Sequence, residues 1–322
     1  MNKPIPPYKA KFSINHEQLY LTSDIAYHAG ALGERDFIPE AKDRYQGVLP
    51  LLSLANVHLT PSQIRGLFAG EEISGIPLAN ALAKLYRRIN KLNPYDYSIV
   101  SAFEEAYFID GVPNRLGRKA EDCPYVLVTT NKIEPMMKAL FNFLSSSNKK
   151  THPILLSGMA YVEIMAIAPY SDKNLALALF LAKAILASYQ KEFAYLPFEA
   201  HFLRKKADLD RVFEACAEKA DMDDFLNAYL KVVRGSLDAI IRKKANQSKG
   251  DTAQVKKLLS IMEEGASYSA KELCDILGLK SRLGLMRNYI SPALEAKLIR
   301  RSEPNSPTSR TQRYSLAPKK EE

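Results

Sequence analysis

The stretch that decides the fold runs over residues 153–189 and reads PILLSGMAYVEIMAIAPYSDKNLALALFLAKAILASY. It holds two helical segments, 153–166 and 175–189, that are apolar nearly all round, a pattern typical of helices at the centre of a bundle. The eight residues between them, 167–174, form a polar loop between the two helices that we predict to be most deeply buried. Functional residues tend to lie on loops that a rigid scaffold positions, although an ordinary helix–helix connection is the alternative.

Helical periodicity extends from this pair in both directions and predicts a mainly α bundle. Residues 1–45 form a proline-containing arm followed by a weakly helical stretch at 16–32. A β-branched and aromatic run at 125–130, preceded by turn residues, predicts one small β-hairpin. The other predicted helices lie at 61–68, 76–92, 97–108, 133–145, 209–220 and 221–243.

Residues 243–250 are polar and predict a flexible linker to a second domain. Beyond it, helical patterns at 253–262, 268–278 and 282–296 are followed by strand-like segments at 298–301 and 311–316. Three helices and a hairpin in this order predict an α+β winged helix-turn-helix. The predicted organisation is an arm at 1–45, a helical domain at 46–243 and a winged-helix domain at 251–318.

The positive charge of the chain is concentrated in this second domain. Residues 242–322 contain 17 Lys and Arg against 9 Asp and Glu, a net charge of +8 out of +9 for the whole chain. This asymmetry favours an anionic partner for the second domain, and a role in solubility is the alternative.

The composition also predicts the compartment. The three cysteines, Cys123, Cys216 and Cys274, are odd in number and far apart, so neither a disulfide framework nor a zinc site is expected. The first residues lack a signal-peptide pattern, and no apolar run reaches the length of about 18 residues that a membrane span needs. We expect a cytoplasmic protein without a membrane partner.

The loop between the two central helices resembles the signature of the Fic family, H-P-F-x-(D/E)-G-N-G-R-x-x-R. The matching residues 168–179 read A-P-Y-S-D-K-N-L-A-L-A-L, and 161–167 resembles the helix that leads into the motif. Residues 111–115 and the hairpin at 118–130 are similar to the family's target-docking flap and the stretch before it. The resemblance places Tyr125, Val126 and Leu127 in the flap, and the order of elements matches over residues 45–240.

The resemblance implies a bundle that transfers a nucleotide, usually AMP from ATP, to a hydroxyl group of a target protein. In the family the motif histidine is the general base, and the acidic residue holds the metal that bridges the phosphates. The glycines let backbone N–H groups approach those phosphates, and the arginines pair with them. The resemblance therefore implies ATP with Mg²⁺ as cofactor and a target protein at the flap.

This chain departs from the motif at the residues that carry the chemistry. Ala168 stands at the histidine position, Lys173 and Leu175 replace the glycines, and Ala176 and Leu179 replace the arginines. Loss of a general base alone costs about 10²–10⁴ in rate. We therefore predict no catalytic residue, and a remnant nucleotide site formed by Asp172, Lys173 and Asn174, with Asp172 as its metal ligand.

These observations lead to three alternative hypotheses about function. The first is a catalytically impaired, Fic-like regulatory protein that binds DNA or another partner. The second is a divergent enzyme that transfers AMP or another phosphate-containing group to a protein hydroxyl, using Asp172 and a different base. In the third, the helical body forms a homodimer and only the second domain acts.

The tail carries a second resemblance. Residues 289–295 and 304–314 resemble the winged-helix tail of many bacterial Fic-family proteins. A winged helix that binds DNA would use cationic side chains on its third helix and on its wing, whereas one that docks a protein or only packs would not. The DNA contacts predicted here are Arg282, Arg287 and Asn288 on the helix, and Arg310 and Arg313 on the wing, beside Arg300 and Arg301.

Overall fold

The computed structural model describes residues 14–34, 39, 41–108, 129–219, 221–250, 252–279, 281–306, 309 and 311–317. The chain divides into two compact units, Met1–Ala239 and Ile240–Glu322. The helices and strands described in the first unit are all helices, joined by turns and loops, and the second unit combines helices with a small sheet. The mainly α fold class predicted from the sequence is confirmed.

The first unit contains most of the helices of the chain. Helix α4 shows why they begin where they do: Thr60 and Gln63 form a reciprocal capping box, and Pro61 occupies the first helical position. The helices are α1 (His16–Glu34), α2 (Ala41–Tyr45), α3 (Val48–Leu54), α4 (Pro61–Ala69), α5 (Pro77–Arg87), α6 (Ser98–Tyr107), α7 (Thr130–Ser147), α8 (Pro153–Ile167), α9 (Asn174–Tyr189), α10 (Phe198–Arg204), α11 (Lys206–Lys219) and α12 (Asp223–Gly250), with 3₁₀ turns at Ile89–Lys91 and Lys191–Tyr195.

Helices α8 and α9 form the core of this unit. Every residue of α8 from Ile154 onward is buried, and so is every residue of α9 up to Ala187. Helix α12 packs so closely on α8 that a Cβ added at Gly158 would lie 2.8 Å from Leu226 Cδ2. The prediction that these two helices are central is confirmed. None of the helices in the described part of the chain is long and apolar enough to cross a bilayer.

Several elements of the first unit differ from the prediction. Thr130, predicted at the end of a strand, is the first residue of α7, and Thr129 is its N-cap. The rest of the predicted hairpin, including Tyr125, Val126 and Leu127, lies outside the described residues. Helices α2, α3 and α10 have five to seven residues each, too few for a helical period to stand out from its surroundings.

The predicted flexible linker is also wrong. Residues 243–250 continue α12, which is 28 residues long. Lys, Ala and Gln are good helix formers, and extending an existing helix avoids the cost of nucleating a new one. The division between the two units accordingly falls inside this helix, before the predicted boundary at residue 243.

The second unit has a small antiparallel sheet in the order β1–β3–β2. Tyr314 of β3 lies opposite Tyr268 of β1 on one side and Arg301 of β2 on the other. The two strands predicted from the sequence, β2 and β3, are confirmed. The elements are α13 (Ala253–Ser260), β1 (Ser267–Ser269), α14 (Ala270–Leu277), α15 (Arg282–Leu285), a π-helical turn (Met286–Ile290), α16 (Ser291–Glu295), β2 (Ile299–Arg301) and β3 (Arg313–Leu316).

Strand β1 and the π-turn are the features of this unit that the sequence did not predict. β1 has three residues and owes its existence to pairing with β3, about 46 positions away. The predicted helix 282–296 is present, but a π-turn interrupts its middle. Local side chains set the bounds of α14: Ser269 and Glu272 form a capping box, and Gly278 ends the helix with φ 67°.

Candidate functional site

The loop between α8 and α9 is held by two residues in the left-handed backbone conformation. Ala168 caps the end of α8 with φ 46° and ψ 67°, and Lys173 precedes α9 with φ 67° and ψ 11°. Non-glycine residues adopt this conformation at a cost of about 1–2 kcal/mol. The surrounding packing therefore stabilises a turn that the local sequence does not favour.

Asn174 fixes the shape of this loop. Its Oδ1 accepts the Tyr170 backbone N–H at 2.9 Å, and its Nδ2 donates to the Tyr170 carbonyl at 3.1 Å. The Asn174 side chain is buried, so both of its functional groups are used inside the protein.

Tyr170 points inward as well. It is fully buried, its hydroxyl donates to Glu104 Oε1 at 3.0 Å, and its ring lies edge-on to Phe108 at 5.0 Å. Tyr170 thus ties the loop to α6.

Asp172 and Lys173 form the exposed part of the loop. The Asp172 carboxylate is 62% exposed, and Lys173 Nζ lies 3.1 Å from its Oδ2. Lys173 Nζ also approaches the Leu54 carbonyl, at the C-terminal end of α3, at 3.5 Å. The ammonium group therefore bridges a carboxylate and the negative end of a helix.

Tyr107 is a neighbour of this site that the sequence did not single out. Burial raises the pKa of its phenol, and the charge of Asp172 raises it further. Its hydroxyl donates to the Leu51 carbonyl at 3.0 Å, so it is held as a neutral hydrogen-bond donor. Its position in an amphipathic helix resembles that of an ordinary core tyrosine, and no sequence signal marks it.

A second polar cluster lies in the middle of α9. Lys183 Nζ donates to the Leu196 carbonyl and to Glu199 Oε2, the latter at 3.3 Å, and the Tyr86 hydroxyl donates to Glu199 Oε1 at 2.8 Å. Burial lowers the pKa of Lys183, which the charge of Glu199 opposes. Burial and Glu199 both raise the pKa of Tyr86. The cluster joins α5, α9 and α10 inside the core.

The second unit presents a different kind of surface on residues 282–290. Arg282, Arg287 and Asn288 are exposed there, beside Leu283, which is 78% exposed. The side chains of Arg282, Arg287 and Asn288 make no hydrogen bond or ion pair with any other residue that the structure describes. Leu285 and Ile290 on the opposite side are buried in the core of this unit.

The predicted wing residues differ from this helix surface. Arg313 donates to Glu272 Oε2 at 2.9 Å and to the carbonyl and hydroxyl oxygens of Ser267. The hydrogen bonds with the Ser269 backbone and side chain, followed by the charge of Arg313, hold the pKa of Glu272 below its usual range. Arg313 thus ties β3 to the start of α14. Arg310 lies outside the described residues.

Two comparisons place this architecture among known proteins. Residues 253–317 match the family model "Filamentation induced by cAMP protein Fic-like, C-terminal domain". The whole fold is similar to the crystal structure of a Fic family protein from Desulfovibrio desulfuricans G20, at 23% sequence identity and a TM-score of 0.62, covering 98% of this chain and 100% of that chain. Residues 253–317 are thus similar to that C-terminal domain, and the fold of the chain is similar to that of a Fic family protein. No curated protein matches the chain.

The Fic resemblance predicted from the sequence is thereby confirmed, and the residues that we aligned with the motif can be located in the fold. Ala168, which we predict to stand at the position of the Fic histidine, is fully buried. Ala176 and Leu179, which we predict to stand at the positions of the Fic arginines, are fully buried within α9, and Leu175 is 5% exposed. These four positions are thus parts of the apolar core.

Proposed function

We propose that this chain is a Fic-like protein that does not transfer nucleotides and acts as a regulatory protein that binds DNA through a winged helix in its second unit. The observation that carries the proposal is the exposed group Arg282, Arg287 and Asn288, whose side chains have no partner among the described residues.

The first part of the proposal rests on the chemistry of the loop. A methyl group at Ala168 has no lone pair with which to accept a proton. The buried apolar side chains at positions 175, 176 and 179 cannot pair with phosphate oxygens. The Cβ atoms of Lys173 and Leu175, at the predicted glycine positions, would crowd a phosphate that approached the backbone N–H groups at the start of α9. The residues present do not fit ATP.

The residues of the loop fit a phosphate-bridging metal ion no better than they fit ATP. Asp172 is paired with the Lys173 ammonium group, and a neighbouring cation disfavours a second one. Among the residues that the structure describes, no group of three or more His, Cys, Asp or Glu side chains is placed to hold a metal ion. The side chain of Asn174, the third predicted remnant of the site, is committed to Tyr170.

The second part rests on the charge and geometry of the second unit. A helix with exposed arginines, followed by a β-hairpin, suits entry into a DNA groove with phosphate contacts beside it. The exposed Leu283 adds an apolar group of the kind that contacts thymine methyls. Since Arg313 is engaged with Glu272, the DNA contacts of this unit centre on Arg282, Arg287 and Asn288.

The test is fluorescence anisotropy of a labelled duplex of about 30 base pairs, titrated with the full chain at several salt concentrations. We expect salt-dependent binding, because each phosphate contact adds about −0.9 to the slope of log K against log salt. The double variant Arg282→Ala/Arg287→Ala should weaken binding at least tenfold and make the slope less steep by about 2.

The control is Lys271→Ala, which removes an exposed charge from α14 in the same unit. This control should change the slope of log K against log salt by less than half as much as the double variant does. Equal effects of the control and the double variant, or no salt-dependent binding by the wild type, would overturn DNA binding and leave a protein partner for this surface.

The nucleotide part is tested separately by calorimetric titration of ATP with Mg²⁺, using Asp172→Ala as the comparison. We expect no binding by either protein. Binding by the wild type that Asp172→Ala abolishes would contradict the proposal and support a divergent transferase.

A further inference from the structure

A cavity of about 480 Å³ lies between α10, α11 and α12, formed entirely by residues of the first unit. Its walls are mostly apolar and include Leu209, Val212 and Val232. Cavities of about 300–1,000 Å³ with apolar walls and a few polar groups are typical of sites for small organic molecules. The residues of the Fic-like loop, 167–174, take no part in it.

Gly235 opens this cavity from the side of α12. A glycine inside a helix costs about 1 kcal/mol relative to alanine. Packing does not require it here, because a Cβ at this position would approach only His201 Nδ1, at 3.8 Å. The missing side chain therefore leaves volume open beside His201.

The rim of the cavity carries uncompensated positive charge. Arg204, at the end of α10, and the adjacent Lys205 are exposed, and neither forms an ion pair with another described residue. The other charges of the rim are neutralised: Asp208 pairs with Arg211, and Lys231 pairs with Glu17 at 2.7 Å. Burial and then the charge of Arg204 lower the pKa of His201, which favours its neutral form at the cavity wall.

A second hollow along the same helices provides a contrast. It has a volume of about 610 Å³, and its lining includes both partners of the Asp208–Arg211 and Glu17–Lys231 pairs, together with Asp224. Its charges are mixed in sign and largely paired, so it selects no ligand. The apolar walls and the unpaired cations occur together in the first cavity.

We propose that the cavity between α10, α11 and α12 is a binding site for a small amphipathic carboxylate. The apolar body of the ligand would replace solvent against Leu209, Val212 and Val232, and its carboxylate would lie at the rim beside Arg204 and Lys205. Both parts of the ligand are needed, because an exposed ion pair alone is worth only about 0–1 kcal/mol. This site is independent of the proposed DNA surface.

The test is calorimetric titration of octanoate into the full chain. We expect saturable binding at one site with a Kd below about 1 mM, and no measurable binding of acetate or inorganic phosphate, which lack the apolar body. Octanamide, which keeps the apolar body without the charge, should bind about threefold to tenfold more weakly than octanoate.

Two kinds of variant separate the two parts of the site. Arg204→Ala/Lys205→Ala should weaken octanoate binding about threefold to tenfold and leave octanamide binding unchanged. Gly235→Leu should abolish both by filling the cavity, and Gly235→Ala, which a helix favours, should weaken both to a smaller degree. Circular dichroism checks that each variant is folded.

The control is Arg88→Ala, which removes an exposed charge at the end of α5 in the same unit. It should bind octanoate as the wild type does. The proposal would be overturned if the wild type did not bind octanoate, or if the rim variant bound it as tightly as the control does. Equal binding of acetate and octanoate would also contradict it.

Discussion

The loop at 167–174 and the helical segment at 282–290 use their polar residues in opposite ways. In the loop, Asn174 and Tyr170 point into the protein and hydrogen-bond to other parts of the chain. In the segment, Arg282 and Arg287 point outward without partners among the described residues. A polar residue that is satisfied internally stabilises the fold, whereas one left exposed is available to a ligand.

The comparison separates polar residues that hold the fold together from polar residues that a partner could reach. In the loop, the two left-handed residues and Asn174 support the junction between α8 and α9. Substitutions in the first region should therefore change stability and leave DNA binding intact, and substitutions on the exposed segment should do the reverse.

The largest stability effect is expected at Lys183, in the middle of α9, the helix that follows the loop. Lys183→Met leaves the fully buried Glu199 carboxylate without its cation, which costs about 3–5 kcal/mol of unfolding free energy. Because the chain has no Trp, urea unfolding followed by circular dichroism is the suitable measurement.

The matched control is Lys138→Met, which breaks an exposed ion pair with Glu134 on α7. It should change the free energy of unfolding by less than about 1 kcal/mol. Equal losses in the two variants would show that burial of the pair does not matter to stability.

A somewhat smaller loss is expected at Asn174. Asn174→Ala leaves the buried N–H and carbonyl of Tyr170 without their partner, at a cost of about 2–4 kcal/mol. The exposed Asn131→Ala serves as control and should cost much less. DNA affinity should stay unchanged in a folded Asn174→Ala sample, and a parallel loss of affinity would break the comparison between the two regions.

The two regions can be compared directly at two strained lysines. Lys173 has φ 67° in the loop, and Lys297 has φ 58° after α16 in the second unit. Lys297→Gly should stabilise the protein by about 1 kcal/mol, because glycine adopts this conformation without strain. Lys173→Gly should gain less, because it also removes the contacts with Asp172 and Leu54. Thermal unfolding of both variants measures the difference. A larger increase in stability at position 173 would mean that the contacts of Lys173 contribute nothing to stability.

The smallest effect concerns pH. Burial, followed by the charge of Arg204, lowers the pKa of His201, so the unfolded chain binds a proton more readily than the folded one below about pH 6.5. The contribution of His201 to stability is therefore present above that pH and is lost as pH falls. His201→Gln should flatten the dependence of the melting temperature on pH between about 5 and 7. A pH dependence of the His201→Gln variant equal to that of the wild type would contradict the assignment.

Much of the fold could be predicted from local sequence pattern. The uniformly apolar segments of α8 and α9 predict burial, because no polar face is available for water. The capping box of α14 and the strands β2 and β3 follow from side chains within each segment. The elements that were missed depend on distant partners or are too short to show a period: β1 exists through β3, and α10 has seven residues.

The candidate site likewise has features that the sequence predicts and features that depend on the tertiary structure. The sequence of residues 168–179 contains no histidine and no arginine, and this is the basis for predicting that the loop lacks a general base and phosphate-binding arginines. The role of Arg313 could not be predicted, because its partners Ser267 and Glu272 are more than 40 residues away and meet it through strand pairing. The position of Tyr107 beside Asp172 depends in the same way on how α6 packs near the loop.

By itself, the sequence determined that two apolar helices enclose a polar loop, that residues 168–179 contain neither histidine nor arginine, and that the positive charge is concentrated in residues 242–322. The tertiary structure decided which polar groups are used up inside the protein and which remain on its surface. It also brought His201, Arg204, Leu209, Val232 and Gly235 around one cavity. The physical reason is that composition and periodicity are properties of neighbours along the chain, whereas burial and hydrogen-bond satisfaction depend on segments that folding brings together.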